Sequence, residues 1–68
     1  MADRWLYSKS GETCYFQRGS HIYKAQSHEC EFYEENNYIY PMSGGAATFF
    51  IRDGWAHTMK GVATYRYG

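Results

Sequence analysis

Apolar residues recur along this chain in short, evenly spaced groups. Leu6-Tyr7, Ile22-Tyr23 and Ile39-Tyr40 are apolar–tyrosine pairs spaced 16 and then 17 residues apart, and a further 17 leads to Ala56-His57, a degenerate fourth copy. A large ring precedes each pair: Trp5, His21, Tyr38 and Trp55. After each pair comes a turn, at Ser8-Lys9-Ser10-Gly11, Ala25-Gln26-Ser27, Met42-Ser43-Gly44 and Met59-Lys60-Gly61, and then an extended segment rich in aromatic and small residues. Apolar positions do not follow the i, i+3, i+4 spacing of a helix, and short aromatic and β-branched runs broken every eight or so residues read as strands.

The pattern predicts eight strands, over 5–8, 12–17, 21–24, 29–33, 37–41, 46–51, 54–58 and 62–67. Turns between copies fall at Arg18-Gly19-Ser20, Glu34-Glu35-Asn36-Asn37 and Arg52-Asp53-Gly54, where Gly supplies the positive φ of a tight hairpin turn. Pro41 ends a strand, a place that costs no central ladder bond. In the second strand of each copy, alternation at a constant offset predicts an inward face of Cys14, Cys30, Ala47 and Thr64 together with Phe16, Phe32 and Phe49. Thr13, Glu29, Ala46, Ala63 and Tyr15, Glu31, Thr48, Tyr65 then face outward. An isolated hairpin is not stable in water, and four in a row leave two open edges, whereas four around an axis close. The small column is expected nearest that axis, with the Phe residues further out.

The steps Leu6-Tyr7…Gly11…Phe16, Ile22-Tyr23…Ser27…Phe32 and Ile39-Tyr40…Gly44…Phe49, with the partial match Ala56-His57…Gly61…Arg66, resemble the four-fold β-flower family. The resemblance covers residues 5 to 67 and departs from the family at Ser27, in place of Gly, and at Arg66, in place of an aromatic. It implies an all-β fold: four β-hairpin repeats of about 17 residues with pseudo-four-fold symmetry in a shallow closed barrel. The expected repeats are roughly 5–20, 21–37, 38–54 and 55–68 of one domain spanning 1–68. The resemblance carries no activity and no site residue.

Size sharpens this expectation. A chain of 68 residues buries only about 60% of the surface its unfolded form exposes, so it needs a supplement to its core. Eight Tyr, four Phe and two Trp provide one, since each aromatic buries roughly 150–250 Å². Oligomerisation is the natural second. The formal net charge is zero, which leaves no basic footprint for nucleic acid. The charges are nevertheless uneven: residues 25–40 hold Glu29, Glu31, Glu34 and Glu35 without Lys or Arg, while 41–68 hold Arg52, Lys60 and Arg66 against Asp53 alone. An acidic side of this kind orients a partner or a second copy, or is simply a solvated face. No stretch reaches the ~20 apolar residues of a membrane span. The polar opening Met1-Ala2-Asp3-Arg4-Trp5 lacks the apolar core of an export leader, so a cytoplasmic location with reduced thiols is expected.

Candidate chemistry is sparse. Cys14 and Cys30 lack the paired spacing of a zinc site and read first as small core thiols, with a disulfide as the lesser reading. His21 and His57 stand in aromatic columns and replace rings; neither they nor His28 has a Ser or Cys placed by sequence to use them as a base. Glu29 and Glu31 sit on one strand face about 6–7 Å apart, yet nothing supplies the cleft of a hydrolytic pair. No catalytic residue, metal ligand or cofactor is therefore assigned, and the chain is expected not to be an enzyme. The tyrosines and tryptophans remain. Trp5, Tyr7, Tyr23, Tyr38, Tyr40 and Trp55 are the candidate ligand or interface residues, because amphipathic rings line a shallow bowl or dock a partner where they do not simply fill the core between hairpins with their hydroxyls at the rim. The expected function is a small interaction module acting through protein–protein contacts and self-association. The alternatives are a small-molecule, lipid or carbohydrate carrier with a central aromatic bowl, and a structural component of a larger assembly.

Overall fold

A computed structural model describes residues 3–68. Met1 and Ala2, part of the polar opening read above, lie outside the described residues. Eight antiparallel strands close into one barrel in chain order: β1 (Arg4–Ser8), β2 (Thr13–Arg18), β3 (His21–Lys24), β4 (Cys30–Glu35), β5 (Tyr38–Pro41), β6 (Phe49–Arg52), β7 (Trp55–Thr58) and β8 (Ala63–Tyr67). The ring closes through Leu6↔Tyr67, Tyr7↔Arg66 and Ser8↔Tyr65, so the degenerate fourth hairpin completes the barrel and, among the described residues, no strand is left as an edge. Among the described residues no helix is long and apolar enough to cross a membrane.

Turn chemistry explains most strand limits. Gly11, Gly44 and Gly61 take φ of 95°, 98° and 92° and each closes its turn with a backbone hydrogen bond to the carbonyl three residues back. In the second hairpin, where Ser27 stands instead of Gly, His28 takes the left-handed conformation at φ 63° and donates to the carbonyl of Lys24, four residues back. That turn is one residue longer. β6 starts at Phe49 and not at 46, because Gly44 and Gly45 both hold positive φ and keep the preceding chain out of the ladder.

The inward faces differ from the expected ones. Leu6, Ile22, Ile39 and Ala56 form a buried column in the first strand of each hairpin, and opposite them in register stand Tyr15, Phe32, Phe49 and Tyr65. From the buried residue to its partner is nine residues in the first and fourth hairpins but ten in the second and third. A constant offset therefore puts Phe16 in the wrong column. Register shifts follow Leu6, Ile22 and Ala56, where one strand carries an extra residue: Cys14, Glu31 and Thr64. Tyr15 and Tyr65 thus face in, and Phe16 turns to the outer face, where it is still buried, covered by Trp5, Tyr23 and His28.

The axis is filled by these rings and not by a small column. Tyr15 packs edge-on against Phe32 at 5.7 Å and Tyr65 at 5.3 Å; Phe49 packs on Phe32 at 6.0 Å and Tyr65 at 5.6 Å, with interplanar angles of 70° to 87°. The four contacts close a cycle. Edge-to-face packing sets the positive rim of each ring against the negative face of the next, worth about 0.5–1.5 kcal/mol per pair beyond the area buried. Between this tetrad and Leu6, Ile22 and Ile39 lies a gap of about 10 Å³, room for one water at most. One step further along the strands a polar layer closes the other end. The Tyr67 hydroxyl donates to Gln17 Oε1 at 2.6 Å, and Gln17 Nε2 donates to Glu34 Oε1 and to the Gly19 carbonyl. Gln17 is the one buried polar side chain among the described residues, and these three bonds supply its partners.

Candidate functional site

Alternation that buries Leu6, Ile22, Ile39 and Ala56 turns their neighbours outward. Trp5, His21, Tyr38, Trp55 and Tyr7, Tyr23, Tyr40, His57 therefore lie on the outer wall. The candidate residues line no central bowl; the axis belongs to the tetrad. On the wall, the second strand of one hairpin meets the first strand of the next, and at each junction two planar groups stack. Phe16 lies on Tyr23 (5.1 Å, 14°), Tyr33 on Tyr40 (5.2 Å, 14°) and Phe50 on His57 (5.0 Å, 9°). At the fourth junction the guanidinium of Arg66 covers the Tyr7 ring at 5.3 Å. Each stack joins residues directly paired in register. Arg66, a departure from the aromatic pattern in sequence, does the work of a ring.

The stacks leave two large apolar rings outstanding, and the imidazole of His21, in the same column, is exposed as well. Trp5 is 41% exposed and Tyr38 43%, whereas Tyr7, Tyr23, Tyr40 and Trp55 are half-buried. Trp5 leans on Phe16 at 5.6 Å and Tyr38 on Tyr40 at 6.5 Å, so both are held in place while still presenting a face. Met42, Met59 and Val62 are also exposed, in the turns at one end. His57 Nδ1 is buried in its stack without a hydrogen-bond partner.

An open groove of about 530 Å³ lies at the same end, between the turn after Ser8 and the turn after Lys24; Glu12, Cys14, Tyr15, Lys24, Glu29 and Tyr65 are among its lining. Lys24 Nζ sits 3.9 Å from Glu29 and 4.0 Å from Glu31, so the two acidic residues flank one cation and do not act as a free carboxylate pair. Burial, reinforced by the neighbouring Tyr65 and the charge of Glu31, keeps the Tyr15 phenol protonated well above the usual tyrosine range. At the opposite end burial, with the charge of Glu34 added and that of Arg4 opposing, pushes Tyr67 up to about 12. Arg18 holds Asp3 below the usual carboxylate range through paired contacts of 3.1 Å.

The thiols are apart. Cys14 lies beside Ala25 on one side of β3, and Cys30 pairs with Tyr23 on the other. Two strand spacings of about 4.8 Å separate their backbones, more than the ~7 Å that a disulfide spans. Among the described residues no three His, Cys, Asp or Glu side chains gather as a metal site requires. The signal that sequence reasoning missed is the planar partner column Phe16, Tyr33, Phe50 and Arg66, hidden by the change of offset between hairpins. No protein-family model, curated protein or solved structure matches the chain.

Proposed function

We propose that this protein is a small, non-enzymatic, cytoplasmic interaction module of the four-fold β-flower kind, pseudo-symmetric about the barrel axis, that binds protein partners and further copies of itself through its outer wall. The observation that carries the reading is the exposure of Trp5 and Tyr38, at equivalent places in two hairpins, on a barrel whose centre is filled and whose ladder has no open edge. Such a barrel has no backbone edge to offer and recognises through side chains. Rigid aromatics are the side chains that most often anchor interfaces, because they contribute much area at little entropy cost. The test is sedimentation velocity of the wild type and of a Trp5→Ala/Tyr38→Ala double variant over a wide concentration range. Association that weakens in the variant supports the reading; a wild type that stays monomeric refutes the self-association in it.

The groove beside Tyr15 and Tyr65 favours a second reading, a small-ligand carrier, with the ligand at the mouth between two turns. Its volume lies within the ~300–1,000 Å³ of small-molecule sites, but its openness to solvent offers less burial than such sites give. Native mass spectrometry of tag-free protein tests it: excess mass over whole chains supports a retained ligand, and bare chain masses count against one.

A further inference from the structure

Resting on that reading of self-association, we infer that copies of this chain dock head to tail, the β8–β1 wall of one against the β4–β5 wall of the next. In the closed order of eight strands β1 and β5 are four places apart, so these walls face in opposite directions. The first carries exposed Trp5 and, over Tyr7, Arg66. The second carries exposed Tyr38, its register partner Glu35, and the Tyr33–Tyr40 stack. The two exposed large apolar rings of the barrel wall and two exposed charges of opposite sign thus fall on opposite walls. Neither Arg66 nor Glu35 has an ion-pair partner among the described residues.

Charge and the exposed large rings together select this pairing over the others. A two-fold contact of either wall with itself opposes Arg66 to Arg66 or Glu35 to Glu35. The β6–β7 wall carries Arg52, of the same sign as Arg66, and on the β2–β3 wall Arg18 is already engaged by Asp3 at 3.1 Å. Arg52 also meets Glu35 with unlike charge, but its register partner Trp55 is half-buried, so β8–β1 against β4–β5 is the pairing that adds the exposed Trp5 and Tyr38 to an unlike pair, and the chain already stacks guanidinium on aromatic rings at Arg66 and Arg4. The ~800 Å² per partner of a specific interface is under a fifth of the 4523 Å² surface. Because the docking walls face opposite ways, each added copy leaves a free wall at either end, and the product is an open string with a repeat near the barrel's 26 Å width.

The experiment is sedimentation velocity with small-angle scattering on the full chain at low salt, from micromolar to millimolar concentration. The expected wild-type result is a ladder of species that grows with concentration and shrinks with added salt. Glu35→Arg, at an exposed side chain, is expected to weaken association roughly tenfold or more. Arg66→Glu is expected to do the same, with Arg66→Gln as the variant that keeps a planar group over Tyr7 should the reversal unfold the barrel. An equal mixture of Glu35→Arg with Arg66→Gln is expected to stop at dimers, since each chain keeps one working wall, whereas Glu35→Arg mixed with a folded Arg66→Glu is expected to restore the ladder, because the two reversed charges again meet with opposite sign. A ladder that both variants leave unchanged, or a wild type that stops at a closed dimer, overturns the head-to-tail arrangement while self-association stands. A wild type that is monomeric throughout overturns both.

Discussion

The Arg66 guanidinium stands 5.3 Å from the centre of the Tyr7 ring, at the junction where β8 meets β1 and the barrel closes. The other three junctions place ring on ring in the same register. A planar cation over a ring face is attracted by the ring quadrupole and covers it as a second ring does, so closure survives the loss of the aromatic.

Arg66→Phe is therefore expected to fold with unchanged or higher stability, and Arg66→Ala to lose about 1 kcal/mol. In a domain of this size that loss lowers the Tm by about 4–8 °C. Thermal melts followed by near-ultraviolet circular dichroism measure it; an Ala variant that melts with the wild type denies the stack its role in closure.

The tetrad makes a second, larger claim. Phe32→Ala or Phe49→Ala opens a hole beside the axis and is expected to cost about 3 kcal/mol, at the low end for Phe truncation because these rings are half-buried. That is a large share of the ~3–10 kcal/mol available to so short a chain. Cys14→Ser and Cys30→Ser, off the axis, are expected to cost under about 1 kcal/mol. Urea titrations compare them directly, and equal losses in both sets disprove the assignment of the core to the rings.

At the other end, Tyr67→Phe deprives Gln17 Oε1 of its 2.6 Å donor in a buried place, an expected loss of about 1–3 kcal/mol. Adding Gln17→Leu to Tyr67→Phe is expected to recover part of it, because the unpaired buried amide oxygen is removed and the acceptors that lose the Gln17 donor, the exposed Gly19 carbonyl and the half-buried Glu34 carboxylate, reach water instead. A double variant that is less stable than Tyr67→Phe alone contradicts this.

Alkaline pH acts on the same residue. Tyr67 titrates near 10 when unfolded and at about 12 in the barrel, so between these values the folded chain holds more protons than the unfolded one. Stability is then full below pH 10 and falls as pH rises through 10 toward 12. Tyr15, raised further by burial, acts in the same sense and continues above that window. Urea midpoints measured from pH 8 upward are expected to fall beyond pH 10, less steeply in Tyr67→Phe; a flat profile counts against the burial of both phenols.

The thiols provide a further check. Mild oxidation of the folded monomer is expected to leave Cys14 and Cys30 unjoined, since β3 stands between them. Intact mass at low concentration reads this: a loss of about 2 Da without dimer formation, the mark of an internal disulfide, refutes the register.

Much of this architecture is legible in the chain alone. The recurrence of Leu6, Ile22, Ile39 and Ala56 and the turn residues between them determine eight strands in four hairpins, because turn chemistry and period-two alternation are local properties. The need to bury hairpins without leaving edges determines that they close. Tertiary structure alone decided which rings fill the axis. A nine- or ten-residue step and the extra residues Cys14, Glu31 and Thr64 shift register by one, and in a strand a shift of one exchanges the faces, so Tyr15 went in and Phe16 out. Closure likewise gave Arg66 its partner, since Tyr7 lies at the far end of the chain and meets it only when β8 pairs with β1. Placing Trp5 opposite Tyr38 is also a tertiary outcome: the chain records their spacing of 33 residues, but only a ring of eight strands turns that spacing into opposite walls.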